Sequence, residues 1–133
     1  TAEEIKIRVG SAMYLEDKLV TEIKGRDMIT GLPKIIEVSS DDVTEAIQPL
    51  LEGILRTLKE VLNNTPPELS ADVMDKGIVL SGGSSQLRNL DRLITEATGV
   101  PTYVAEEPQM AVARGTGIAL ENLEAYKRSV FTH

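Results

Sequence analysis
Ser81-Gly82-Gly83-Ser84-Ser85 is the stretch of this sequence whose residue types best suit ligand chemistry. It follows the apolar run Ile78-Val79-Leu80 and precedes a helical pattern. Consecutive glycines let a ligand approach the backbone closely, because no Cβ intervenes. A helix start beyond them offers unpaired N–H groups and positive potential, which suits a nucleotide. The plainer reading is a tight strand-to-helix turn that needs positive φ and carries no ligand. The spacing matches neither the GxxxxGK phosphate loop nor the GxGxxG dinucleotide fingerprint, so the motif alone leaves both readings open.

Glu3 and Lys6 are the second candidates. At i and i+3 they share one helix face. A carboxylate accepts from ribose hydroxyls, and an ammonium can approach nucleotide oxygens. The same pair is equally an ordinary surface pair. Arg114-Gly115-Thr116-Gly117 resembles a phosphate loop in composition but lies inside a helical pattern, where small residues permit close packing. Glu106-Glu107 reads as a solvated loop, and Glu16-Asp17 are adjacent rather than opposed. No nucleophile and base are spaced for joint action. The single histidine is His133, and cysteine is absent, so histidine catalysis, thiolate metal sites and disulfides are not expected.

The elements that must position these residues follow from periodicity. Residues 1–13 suit a helix, with Thr1 as cap and Glu3 and Glu4 in its first turn. Residues 18–25 and 34–38 read as two antiparallel strands across a turn-rich link. Ser39 and Asp42 have capping-box spacing. Beyond them apolar residues recur at three and four from Val43 to Leu62, with a break or kink expected at Pro49. Thr65 and Pro66 are expected to restart a helix that ends at Gly77. A strand near 78–81, a helix over 87–98, a strand near 102–105 and a long helix over 108–128 complete the chain. Strand, helix, strand implies a parallel pair.

The chain has 133 residues, enough for one domain with a real core. Its formal charge is −7, with 21 acidic against 14 basic residues, which opposes phosphate-backbone binding and argues against a nucleic-acid partner. Neither a membrane-spanning run nor a signal-peptide pattern is visible.

Three segments resemble a known family. TAEEIKIRVGSA resembles the helix opening the fourth subdomain of MreB-type bacterial actin homologues. GRDMITGLPKIIEVSS resembles that subdomain's hairpin, and the text from NTPPELS through GTGIALE resembles the family's closing segment. The resemblance covers nearly the whole chain, in order. It implies an α/β fold: a partial actin-like (ribonuclease H-like) lobe with a small α+β subdomain. Residues 1–11 would be an opening helix of the nucleotide-facing lobe, 12–50 the small subdomain, and 51–133 a partial α/β subdomain. It also implies ATP as ligand, with Glu3 and Lys6 facing the ribose and base. Gly82 and Gly83 would bring backbone against the nucleoside, with Ser84 and Ser85 completing the turn. Many relatives carry a third glycine where Ser84 stands, so this chain adds a Cβ beside the expected ligand.

The family's phosphate hairpins, its magnesium-coordinating acid and its water-positioning acid precede the matched segment. The resemblance therefore implies no catalytic residue in this chain, and magnesium supplied by other parts of a longer parent. The implied partners are ATP or ADP, further copies in a filament, and other cell-shape proteins at the membrane. The implied location is cytoplasmic, with membrane association through the parent filament. The rival reading is a stand-alone interaction module that keeps the fold without nucleotide use. A dimer or larger assembly is expected of a truncated chain, because strand edges near 78–81 and 102–105 and the apolar helix from Leu50 to Leu62 lack cover.

Overall fold
In a computed structural model the structure describes residues 2–130. Helix α1 (Ala2–Val9) leads through an extended link to the antiparallel hairpin β1 (Val20–Arg26) and β2 (Pro33–Ser39). Its register pairs Val20 with Ser39 and Arg26 with Pro33. Thr21 is buried and Ile23 half-buried, while Val20, Glu22 and Lys24 are exposed, which is the period-two alternation expected. The cap Thr1 expected for α1 lies outside the described residues.

Helix α2 (Ser40–Asn64) starts from a complete capping box. The Ser39 N–H donates to Asp42 Oδ2 at 2.8 Å, and the Asp42 N–H donates to Ser39 Oγ at 3.3 Å. The break expected at Pro49 does not occur, and Pro49 stands inside one continuous helix. An interior proline costs about 3 kcal/mol. Here Pro49 is on the exposed side, while Ile47 before it and Leu51, Leu55 and Leu58 after it pack into the core. Packing on both flanks holds the two segments in line.

Thr65 does not start the next helix. It closes α2 instead, its hydroxyl donating to the Val61 carbonyl at 2.7 Å. Helix α3 (Pro67–Lys76) begins with Pro67 in its first turn, a position where a missing N–H is harmless.

Strands β3 (Ile78–Leu80) and β4 (Thr102–Val104) are parallel, Ile78 opposite Thr102 and Leu80 opposite Val104, joined through helix α4 (Leu90–Thr98). This is the expected arrangement, except that α4 starts at Leu90 rather than 87. A single 3₁₀ turn over Gly83–Gln86 fills the gap. The expected terminal helix is two: α5 (Ala111–Glu121) and α6 (Leu123–Val130). Asn122 ends α5 by donating both its backbone N–H (3.1 Å) and its side-chain amide (3.0 Å) to the Ile118 carbonyl. Such local competition for a carbonyl is why asparagine interrupts helices.

The core is Ala12, Leu51, Leu90 and Ile94, with Ile78, Leu80 and Leu87 packed against it. It joins α2 to α4 and to one face of β3. The other face is bare: Val79 on β3 is 66% exposed and Tyr103 on β4 is exposed too; on α5, Val112 and Leu120 are likewise exposed. Among the described residues no helix is long and apolar enough to cross a membrane.

Candidate functional site
The glycine turn is built by two neighbours. Gly82 has φ +87°, a conformation that favours glycine. Its N–H donates to the Pro108 carbonyl at 2.7 Å, and its carbonyl accepts from the buried Ser85 hydroxyl at 2.6 Å. Both polar groups of Gly82 are therefore used internally. Ser81, Gly83 and Ser84 are the exposed members of the turn. Ser84 does not have positive φ, so its side chain is accommodated without backbone strain. A Cβ placed on Gly83 would meet only the Gln109 side chain, at 3.7 Å from Nε2, an ordinary contact. Internal packing and backbone conformation thus account for Gly82 but supply no reason for glycine at position 83.

The 106–110 segment is more than a solvated loop. Glu106 and Glu107 are exposed, but Pro108 is buried and holds the glycine turn through its carbonyl. The Gln109 amide donates to Gln86 Oε1 at 3.0 Å, closing the other side. Glu107 adopts φ +44°, and its carbonyl accepts the Met110 N–H at 2.7 Å. A proline directly after two acids was the available signal for a structured turn.

Glu3 and Lys6 both lie exposed on α1, and neither side chain makes a hydrogen bond or ion pair among the described residues. No described contact brings them to the glycines. The end of α1, however, is tied to the segment just beyond the glycine turn. Arg88 Nη1 donates to the Gly10 carbonyl (3.2 Å), and the Arg88 carbonyl accepts the Ala12 N–H (2.8 Å). Ser11 pairs with Arg88 in an isolated parallel bridge. The wholly buried Ser11 hydroxyl accepts from Asn89 Nδ2 at 3.2 Å, with Asn89 in the left-handed region at φ 61°. Thr44 on α2 completes the junction, its hydroxyl donating to the Ser11 carbonyl at 2.9 Å. Sequence periodicity carried no sign of this network, and Asn89 fell inside the helix expected over 87–98.

The turn and α1 can therefore serve one ligand only as two edges of a shared surface. They offer a side-chain-free approach at Gly83, a hydroxyl at Ser84, and one carboxylate and one ammonium on α1. Nothing in this set is arranged for covalent chemistry.

Comparison with known proteins agrees with the architecture. The family model described as MreB/Mbl protein matches residues 1–128. The chain is 47% identical over 124 residues to the cell shape-determining protein Mbl of Bacillus cereus, covering 93% of this chain and 37% of that protein. It is 42% identical over 132 residues to the cell shape-determining protein MreB of Escherichia coli, covering 99% and 38% respectively. The crystal structures of MreB5 of Spiroplasma citri bound to ADP and to AMPPNP superpose with a TM-score of 0.85 each, at 30% and 31% identity. They cover 98% and 96% of this chain, and 39% and 38% of those chains. The chain thus spans under two-fifths of the length of these relatives, and its mixed α/β arrangement is that of the corresponding part of an actin-like structure. With its sequence matched almost from end to end and its fold superposed over the same span, the chain belongs to the MreB/Mbl protein family.

Proposed function
We propose that this chain is the C-terminal part of an actin-like, ATP-binding cytoskeletal protein, and that it supplies one wall of the nucleotide cleft. The observation that carries this reading is Gly83, an exposed glycine for which the fold has no internal need, beside Gly82, whose own polar groups are already used. Backbone without a Cβ there leaves room for a nucleoside. Two solved relatives hold ADP and AMPPNP, which supports the same ligand class. Glu3 and Lys6 would meet the ribose and base, and Gly82, Gly83, Ser84 and Ser85 would form the opposite edge. Magnesium and the γ-phosphate would be handled by parts of a longer parent. ATP would supply the free energy and conformational bias of assembly; these residues would only bind and orient its nucleoside.

In this reading the parent assembles into filaments on the cytoplasmic side of the membrane and helps to set rod cell shape together with other cell-shape proteins. Similarity to two cell shape-determining proteins supports this. The division into 1–11, 12–50 and 51–133 belongs to the same proposal; α2 runs through its second boundary as one helix.

The test uses nucleotide titration and phosphate release. The 133-residue chain alone should bind ATP weakly and show no turnover, since phosphoryl transfer depends on positioned phosphate and metal groups. In a chain extended to the relatives' full length, Gly83→Ala should leave stability unchanged yet weaken ATP binding by about tenfold, a difference of about 1.4 kcal/mol. Unchanged affinity in Gly83→Ala would remove the glycine wall from the proposal. No ATP binding by the extended chain would favour an interaction module without nucleotide use.

A further inference from the structure
Helix α1 ends in a way that apolar packing alone does not demand. The Gly10 N–H donates to the Lys6 carbonyl at 2.8 Å and completes the last turn. A Cβ at Gly10 would collide with that same carbonyl oxygen, so the turn closes only on glycine. The Gly10 carbonyl then accepts from Arg88 Nη1 at 3.2 Å. A cation suits this place, because the C-terminal end of a helix is its negative pole. Arg88 is itself exposed and lies outside the apolar core.

Beyond Gly10 the chain is held by other bonds. The Arg88 carbonyl accepts the Ala12 N–H at 2.8 Å and the Ser11 hydroxyl at 3.3 Å. The Ser11 oxygen accepts from Asn89 Nδ2 at 3.2 Å and from the Met13 N–H at 3.3 Å. Ala12 enters the core. These contacts dock the link that follows α1. The Arg88 guanidinium does something else: it reaches back past the link to the helix that carries Glu3 and Lys6.

Arg88 is equally fixed to the other edge. Its neighbour Leu87 donates its N–H to the Ser84 carbonyl at 3.2 Å, and the Ser85 N–H donates to the Gly82 carbonyl at 3.3 Å. A single 3₁₀ turn over Gly83–Gln86 thus ties Arg88 to the paired glycines. One side chain connects that turn to Gly10, 78 residues earlier in the sequence.

We propose that Arg88 is a positioning residue for the nucleotide: its bond to Gly10 sets the place of α1, and so of Glu3 and Lys6, against the turn from Gly82 to Ser85. The inference rests on the nucleotide-wall reading above and adds what keeps its two edges in register. Arg88 touches the helix, not the ligand. Its contribution is preorganisation, since a ligand that meets two edges already spaced for it need not order them on binding.

The test is equilibrium titration with ADP of a chain extended to the relatives' full length. Arg88→Met keeps most of the side chain's reach and removes its donors. It should weaken ADP binding by about tenfold, within the range of coupling inside one bonded network. Arg88→Lys can still donate to the Gly10 carbonyl and should bind within about twofold of the wild type. The deciding comparison uses a background of Glu3→Ala with Lys6→Ala. With those side chains gone from α1, Arg88→Met should cost no further affinity. An equal loss in both backgrounds would mean that Arg88 acts on the ligand or on the turn directly, and would overturn the proposal. Wild-type affinity in Arg88→Met would also overturn it, and would leave the nucleotide wall standing. Absence of ADP binding by the extended wild type would overturn the wall and this role together.

Discussion
Ser39 and Asp42 show how a residue pair carries its own structural instruction. Their spacing alone predicted a capping box, and both reciprocal bonds are present. The Ser39 hydroxyl, and after it the Ser39 N–H, hold the Asp42 carboxyl below its ordinary value of 3.8. A depressed folded-state value means that the stabilisation is present above 3.8 and is lost as pH falls through the lowered value. Ser39→Ala should therefore cost about 1 kcal/mol at neutral pH, the usual worth of a helix N-cap. In urea titrations the gap between variant and wild type should narrow well below pH 3.8. A gap of equal size in acid would mean that the carboxylate takes no part. Gly82 was similarly legible, because paired glycines after a strand announce a turn. Ser11, Arg88 and Asn89 were not, because their bonds join positions 77 or 78 residues apart and follow no period.

At the scale of elements, the sequence patterns located the hairpin, the parallel pair and the helices between them, but joined α5 and α6 into one, missed the 3₁₀ turn over Gly83–Gln86 and misplaced several ends. Pro49 predicted a break that core packing on both flanks overrides. Thr65 looked like the start of α3 and is the end of α2. Asn122, with a side chain that bonds to Ile118, divides a pattern that apolar spacing alone left whole. Gly77 marks the one junction where sequence and geometry agree most closely. It ends α3 at φ +81°, and a Cβ there would lie 2.5 Å from the Pro101 carbonyl oxygen and 2.9 Å from the Tyr103 ring. Gly77→Ala should thus destabilise the fold by about 1–3 kcal/mol or more, since strained backbone and overlap act together. Thermal unfolding measures it. A change within a few tenths of a kcal/mol would show that the α3–β3 corner can shift freely.

For the molecule as a whole, the exposed face of β3 and β4 and the bare apolar residues of α5 fit a chain that spans under two-fifths of its relatives. Composition could show that the core is aliphatic but not which faces stay uncovered, because that depends on neighbours the sequence of one chain does not contain. The bridge between Ser11 and Arg88 has a consequence in time rather than in space. The hairpin and α2 form from near neighbours, whereas this bridge closes a loop of 77 residues, at a chain-entropy cost of about 4 kcal/mol. Contacts of such separation form late. The N-terminal link should therefore dock last, onto an α2–α4 pair already assembled. In stopped-flow chevrons Ser11→Ala should accelerate unfolding and leave the folding rate nearly unchanged. A slowed folding limb would place the bridge in the nucleus instead. If it docks last it also departs first, so the edge of the proposed nucleotide wall that carries Glu3 and Lys6 is expected to have the shortest lifetime.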